Sequence, residues 1–175
     1  MVSRITRLVQ RDRNHASVIF WSLGNESGRG RNLLAARNSL KRLDSSRPIC
    51  YESGGAIFEG VGRTELTDIV CTMYPSVPRT LRLATREDED RPVILCEYSH
   101  AMGNSNGNLH LYWKEFWNKA VPRLQGGFIW DMIDQGLRIR DERAEGGYYF
   151  GYGGDFGDAV NDLQFCINVR RPSYC

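Results

Sequence analysis

The stretch that most constrains the fold of this chain is an apolar run of β-branched and aromatic residues at positions 18–23, which stops abruptly at Gly24. Such a run is typical of a buried strand. Asn25 and Glu26 follow it directly. A carboxylate at the carboxyl end of a buried parallel strand is poorly solvated, and α/β folds place their chemistry at that position. The structural alternative is a helix-capping or salt-bridged glutamate.

Four more apolar runs predict further strands, at residues 49–51, 68–73, 92–96 and 127–130. Helical patterns separate most of them. Apolar residues at helical spacing mark residues 1–15, 33–43 and 109–116, whereas residues 77–91 fit either a helix or a loop. The tail from Asp141 onward is rich in Gly and Tyr and is interpreted as an irregular loop.

Strands separated by segments of crossover length predict a parallel sheet built from right-handed βα units. Because the apolar runs are continuous rather than alternating, we expect both faces of the sheet to be covered. A barrel and an open doubly wound sheet both fit this pattern. The chain has neither a G-x-G-x-x-G dinucleotide-binding motif nor a Walker phosphate-binding motif. Their absence weakens the hypothesis of an open, nucleotide-binding sheet.

Composition excludes several classes of protein. The formal net charge is only +2, and the basic residues form no stripe that would predict nucleic-acid binding. No apolar run approaches the ~20 residues of a membrane span. No two of the five cysteines are spaced as a metal clip, so we expect buried free thiols in a reducing compartment. The basic N-terminal segment fits an amphipathic helix better than a targeting peptide.

Polar and aromatic residues stand at the carboxyl end of each of four predicted strands. They are Asn25 and Glu26, Met73 and Tyr74, Glu97 with Tyr98 and His100, and Trp130 with Asp131. Each has a structural alternative: Met73 and Trp130 as core fillers, His100 as a loop histidine, and Asp131 as an arginine partner. A parallel barrel would gather all of these ends around one pocket.

Two carboxylates on different strands, facing one pocket, can carry out glycoside hydrolysis. One is kept protonated to assist the leaving oxygen, and the other stays ionised and attacks the anomeric carbon. Glu26 and Glu97 are the candidates. Aromatic side chains such as Tyr74 and Trp130 suit a sugar site, since a pyranose presents an apolar face of C–H groups to a ring.

Several motifs resemble glycoside hydrolase family 2, in the form of the large β-galactosidases. Residues 21–28, Trp-Ser-Leu-Gly-Asn-Glu-Ser-Gly, resemble the acid/base signature of that family, and residues 94–105, which include Glu97, resemble its nucleophile signature. The match extends over residues 122–131, 152–158, 161–162 and 164–168. The similarity therefore covers nearly the whole chain in the order of the family.

The resemblance implies a role for each matching residue. Glu26 would be the general acid/base and Glu97 the covalent nucleophile. Asn25 would hydrogen-bond the 2-hydroxyl of the sugar, and Tyr74 would hydrogen-bond the nucleophile. Three further residues would line the sugar pocket: Met73, His100 and Trp130.

The resemblance also implies two cations. In the family the acid/base glutamate touches Mg²⁺, so Glu26 is a predicted magnesium ligand, with Asn161 near the magnesium-side loop. The backbone oxygen of Phe165 and the side chain of Asn168 would help to hold Na⁺. The remaining magnesium ligands and the sodium-binding aspartate lie upstream in the family and have no counterpart in this chain.

The implied fold is a (β/α)8 TIM barrel of which only the C-terminal part, about strands 4–8, is present. Residues 1–168 would form this partial catalytic barrel, and residues 169–175 a divergent tail, so the chain is interpreted as an internal piece of a longer enzyme. An open half barrel leaves two unpaired edges.

The implied function is a retaining β-galactosidase acting on lactose-like β-galactosides. The alternatives are a fragment that is inactive alone or complements another piece, and another specificity of the family such as β-glucuronidase. We expect a β-galactoside as substrate, no nucleic-acid or membrane partner, a homo-oligomeric full-length enzyme and a cytoplasmic location.

Overall fold

A computed structural model describes residues 1–54, 64–102, 105–161 and 166. The chain divides into two compact units. Unit 1 comprises Met1–Cys96 and His110–Gly127, and unit 2 comprises Glu97–Leu109 and Phe128–Cys175.

Helices alternate with short strands along most of the chain. The helices are α1 (Val2–Asp12), α2 (Arg31–Leu43), α3 (Val77–Ala84) and α4 (Leu109–Phe116), and a short 3₁₀ turn covers Glu52–Gly54. The strands are β1 (Trp21–Ser22), β2 (Ile49–Cys50), β3 (Val93–Tyr98), β4 (Leu124–Ile129), β5 (Leu137–Arg140) and β6 (Tyr148–Gly151). The predicted helices at the N-terminus and at residues 33–43 and 109–116 are confirmed, and residues 77–91 are a helix followed by a loop.

The strands of unit 1 pair in chain order. β1 and β2 are parallel. The N–H of Asp68 donates to the carbonyl of Ile49 (2.7 Å), which places the chain at residue 68 beside β2. Val70 then forms a parallel bridge with Val93 of β3, and β3 pairs with β4. The predicted parallel pairing is confirmed for β1 with β2 and for Val70 with Val93, and in these two cases a helix, α2 or α3, lies in the connection.

The extent of the first strand differs from the prediction. Residues 18–23 form one apolar run, but only Trp21 and Ser22 are strand, and Ile19 is 66% exposed. A continuous apolar run therefore does not mean a continuous strand here, because pairing with the two-residue β2 limits the hydrogen-bonded length.

Alternate residues of the strands belong to two different clusters. Trp21, Leu23 and Ile49 are buried against apolar residues of α1 and α2, among them Val9 and Leu40. The opposite face carries a second cluster with two buried cysteines; its members are Cys50, Ile69 and Cys71, with Phe20, Ile94 and Cys96 only partly buried. Both faces therefore carry an apolar cluster, as expected, and the cluster on the second face is the less deeply buried of the two.

The cysteines of the described residues are free thiols, as the sequence predicts. Cys50, Cys71 and Cys166 are buried and Cys96 is half-buried. Contact with the Cys50 thiol, together with burial, raises the pKa of Cys71 well above its ordinary value. Cys71 therefore stays protonated at neutral pH and is a poor nucleophile.

A polar cluster around Asp44 joins the end of α2 to β1. The indole N–H of Trp21 donates to Asp44 (3.0 Å), as do the hydroxyl of Ser46 (2.6 Å) and the guanidinium of Arg47 (2.5 Å). The hydrogen bonds from Ser46, Trp21 and Arg47 hold the pKa of Asp44 far below its ordinary value of 3.8. The ionised carboxylate is therefore strongly favoured in the folded chain.

Asp44→Ala is expected to lower the free energy of unfolding by about 2 kcal/mol at neutral pH, since it removes hydrogen bonds to a charged, half-buried group. The pKa of Asp44 is lower in the folded chain than in the unfolded chain. The contribution of Asp44 to stability is therefore complete above about pH 3.8 and is lost as the pH falls further. Urea unfolding at pH 7 and pH 3 measures the difference, which should shrink at pH 3.

The matched control is Asp88→Ala, which breaks an exposed carboxylate–guanidinium pair with Arg86. Exposed pairs of this kind contribute about 0–1 kcal/mol. Equal losses of stability in the two variants would contradict the assignment of Asp44 as a structural anchor.

Unit 2 contains a hairpin that the sequence did not predict. β5 and β6 pair antiparallel, with Arg138 opposite Phe150. Gly146 and Gly147 precede β6 with φ values of 84° and 74°, which glycine adopts without steric cost. The guanidinium of Arg138 lies 3.8 Å from the ring centre of Tyr148. The prediction of an irregular loop from Asp141 onward is therefore wrong for this segment, because its glycines form a turn between paired strands.

Among the described residues, every helix is too short or too polar to cross a lipid bilayer.

Candidate active site

Glu26 lies in the loop between β1 and α2, in unit 1. Its φ of 47° is in the left-handed region, where residues other than glycine are uncommon. Both Asn25 and Glu26 are exposed. The capping alternative is wrong, because α2 begins at Arg31 and its N-cap residue is Gly30. No ion pair to Glu26 occurs among the described residues.

The loop that carries Glu26 is bound to the 3₁₀ turn that follows β2. The N–H of Glu26 donates to Oε1 of Glu52 (2.5 Å). The Arg29 guanidinium donates to the carbonyl of Ser53 (2.8 Å), and the Tyr51 hydroxyl donates to the carbonyl of Gly28 (2.7 Å). Burial raises the pKa of Tyr51, which keeps this hydroxyl a donor.

Met73 and Tyr74 also lie in unit 1, after the segment that bridges to β3. Met73 is half-buried, and Tyr74 is 43% exposed with a φ of 47°. The next residue is fixed, since the hydroxyl of Tyr112 in α4 donates to the carbonyl of Pro75 (2.8 Å). The exposed phenol of Tyr74, on an anchored turn, can take part in binding. Met73 is only half-buried, so it is not a fully buried core residue.

Glu97 lies near the carboxyl end of β3, in unit 2, and is half-buried. The loop after it folds back on itself. Ser99 has a φ of 53° and its hydroxyl bonds to the side chain of Asn106. Ser105 donates its hydroxyl to the carbonyl of His100. His100 is half-buried.

Trp130 follows β4 directly and is connected to the loop after Glu97. Its N–H donates to the carbonyl of Tyr98 (3.1 Å), and its carbonyl accepts from the N–H of Ala101 (2.6 Å). The peptide bond between Trp130 and Asp131 is cis. Trp130 is 38% exposed, so the core-filler alternative is wrong for the described residues.

Asp131 is held by its neighbours in unit 2 rather than by an arginine. Its N–H donates to the sulfur of the buried Cys166 (3.1 Å). Its carboxylate accepts from the N–H of Ile133 and the side chain of Gln135, both at 3.4 Å. Gln135 in turn donates its N–H to the carbonyl of Cys166 (2.8 Å). The alternative in which Asp131 pairs with an arginine is therefore wrong within the described residues.

The predicted cation ligands do not form a complete site among the described residues. Asn161 is half-buried and its side chain donates to the carbonyl of Asp158 (3.1 Å). Phe165 and Asn168 lie outside the described residues. In the part of the chain that is described, no group of three or more His, Cys, Asp or Glu side chains could hold a metal ion. The Mg²⁺ and Na⁺ sites therefore stay predictions.

Glu52 is the residue of the site that sequence reasoning missed. It is only 3% exposed and contacts the backbone of Glu26. The one signal available was a carboxylate placed directly after the apolar run that ends at Tyr51. That signal is weak, because the sequence does not show which backbone group the carboxylate meets.

The fold and these residues define a class of protein. Parallel strands with helical crossovers, and carboxylate and aromatic side chains after the strands, are typical of α/β enzyme domains, whose active sites are built at the carboxyl ends of the strands. The particular family follows from comparison: residues 1–170 match the TIM barrel domain model of glycosyl hydrolases family 2, so the chain belongs to that family.

Relatives of the chain include bacterial β-galactosidases. The chain is 52% identical over 179 residues to a β-galactosidase of Enterobacter cloacae, with 96% of this chain and 16% of the relative covered. It is 51% identical over 178 residues to a β-galactosidase of Vibrio cholerae, covering 95% of this chain and 16% of that protein. The chain therefore spans about one-sixth of the length of these relatives.

A solved structure supports the fold. A β-glucuronidase of an uncultured Clostridium species aligns with a TM-score of 0.52 at 23% sequence identity. The alignment covers 88% of this chain and 30% of that protein. At this identity the likeness concerns the fold alone.

Proposed function

We propose that this chain carries the catalytic carboxylates of a retaining β-galactosidase. The main support is sequence identity: over nearly the whole chain, about half of the positions are identical to those of proteins described as β-galactosidases. The positions of the two glutamates also support the proposal. Glu26 is exposed and follows β1, and Glu97 is half-buried near the end of β3.

In the proposed mechanism, Glu97 attacks the anomeric carbon while Glu26 donates a proton to the leaving oxygen. A covalent glycosyl-enzyme forms, and Glu26 then takes a proton from the water that hydrolyses it. Two inversions give net retention at the anomeric carbon. A retaining pair requires carboxyl groups about 5–5.5 Å apart.

The remaining residues bind and orient the sugar in this proposal. Asn25 donates to the 2-hydroxyl, an interaction that strengthens in the transition state. Tyr74 would hydrogen-bond the nucleophile, as the resemblance to the family implies. The other three proposed contacts are Met73, His100 and Trp130. The exposure of Tyr74 and Trp130 supports a role in binding, since neither side chain is buried in the core.

The finer structural predictions belong to the same proposal. The described strands would be about strands 4–8 of the barrel, with residues 1–168 inside the catalytic domain. Mg²⁺ at Glu26 and near Asn161, and Na⁺ at Phe165 and Asn168, rest on the resemblance alone. The homo-oligomeric enzyme and its cytoplasmic location also stay predictions.

The test is a grafted enzyme, in which residues 1–168 replace the matching segment of the Enterobacter cloacae β-galactosidase. We expect this grafted enzyme to hydrolyse nitrophenyl β-galactoside in preference to the β-glucuronide and β-mannoside. NMR of the first-formed sugar should show the β anomer. A folded graft that prefers the glucuronide, or that releases the α anomer, would contradict the proposal.

The short span of the chain relative to its relatives favours a second candidate function, a fragment that is inactive alone or complements another piece. The purified 175-residue chain, assayed with the same substrate and no added protein, distinguishes the two. Turnover by this chain would exclude the inactive-fragment function.

A further inference from the structure

Glu52 is a buried acidic residue, with only 3% of its surface exposed. Burying a carboxylate is costly unless hydrogen bonds compensate it. Compensation is visible here: Oε1 accepts from the N–H of Glu26 (2.5 Å) and from the hydroxyl of Ser53 (2.8 Å). A buried carboxylate with donors aimed at it indicates a built contact rather than a surface charge.

The donor on the loop side is the backbone of Glu26 itself. Glu26 has a φ of 47°, a conformation that a residue other than glycine holds only when its surroundings determine it. Two more hydrogen bonds, from Arg29 to Ser53 and from Tyr51 to Gly28, hold the two loop residues that follow shortly after Glu26. The loop is therefore bound at Glu26 and at residues 28 and 29, and the Glu52 contact is the one made by Glu26 itself.

The geometry points to Glu52 as a positioning residue for Glu26: by accepting its N–H, Glu52 holds the acid/base glutamate in the left-handed conformation that aims its carboxylate. This inference rests on the proposed function of Glu26. Glu52 does not touch the substrate. Its effect is on orientation, and a displacement of about 1 Å at a catalytic group can cost about 100-fold in rate.

The hydrogen bond can be tested without any substrate. In the isotopically labelled 175-residue chain, we expect a scalar coupling across the hydrogen bond between the amide nitrogen of Glu26 and the carboxyl carbon of Glu52. Glu52→Ala should raise the exchange rate of the Glu26 amide by about 10-fold or more. Glu52→Gln keeps a carbonyl oxygen as acceptor, so it should restore the protection.

The kinetic test uses the grafted enzyme. Glu52→Ala is expected to lower kcat by about 10–100-fold with KM changed by less than about threefold. Glu52→Gln should recover most of kcat, and the exposed Glu87→Ala, far along the chain in the loop after α3, serves as the matched control with unchanged kcat. A residue needed only for stability would lower the melting temperature without this separation of kcat from KM.

The inference is overturned if the coupling is absent and the Glu26 amide exchanges equally fast in the parent chain and in Glu52→Ala. It is also overturned if folded Glu52→Ala keeps the parent kcat, or if folded Glu52→Gln is as slow as Glu52→Ala. An inactive parent graft would count against the proposed function instead, while the coupling and exchange measurements still decide whether Glu52 holds Glu26.

Discussion

Glu97→Gly is expected to lower kcat of the grafted enzyme on nitrophenyl β-galactoside by about 10⁴-fold or more, the scale seen when a catalytic nucleophile is removed. Without the carboxylate no glycosyl-enzyme can form. Azide is small enough to occupy the space of the lost side chain and to attack the anomeric carbon from the α face. The expected product is therefore the α-galactosyl azide, identified by NMR.

Two controls separate this role from a structural one. Glu87→Gly, at an exposed position, should leave kcat unchanged. A 2-fluoro sugar with a good leaving group should label the parent enzyme at Glu97, as shown by mass spectrometry of the digested protein. Labelling of any other carboxylate, or formation of the β-azide by Glu97→Gly, would contradict the assignment.

Glu26→Gly is expected to lower kcat/KM by about 10²–10⁴-fold for a substrate with a poor leaving group such as lactose, because general acid catalysis is lost. A dinitrophenyl β-galactoside needs no protonation of its leaving group, so its first step should be nearly unaffected. Steady-state rates with the two substrates measure the difference.

Azide gives the opposite stereochemistry in this variant. It attacks the glycosyl-enzyme formed on Glu97, so two inversions yield the β-galactosyl azide. Asn161→Ala serves as a comparison, since a residue that acts only near a cation should not discriminate between leaving groups. Equal losses with lactose and with the dinitrophenyl substrate in Glu26→Gly would show that Glu26 is not the acid/base.

The helices and the parallel pairing of strands could be predicted from the sequence. Ile5 and Val9 of α1, and Leu33 and Leu40 of α2, recur at helical spacing and are buried as that spacing predicts. Periodicity of this kind is a local property, because each helix forms its own hydrogen bonds and needs only one apolar face.

Strand lengths and the hairpin could not be read in the same way. The run that contains Ile19 and Trp21 is uniformly apolar, yet only Trp21 of these two lies in the hydrogen-bonded strand, since a strand extends only as far as its partner. The β5–β6 hairpin depends on the pairing of Arg138 with Phe150 and on the contact of Arg138 with Tyr148. Such cross-strand contacts are properties of the pair of strands and not of either one.

The sequence by itself determined the family and named two candidate carboxylates, because long motifs specify which side chain follows which strand. Only the tertiary structure decided how Glu26 is held. The partner of its N–H is the buried Glu52, which reaches it across the turn after β2. A hydrogen bond between residues far apart in sequence leaves no local pattern, and it arises only when the backbone brings donor and acceptor together.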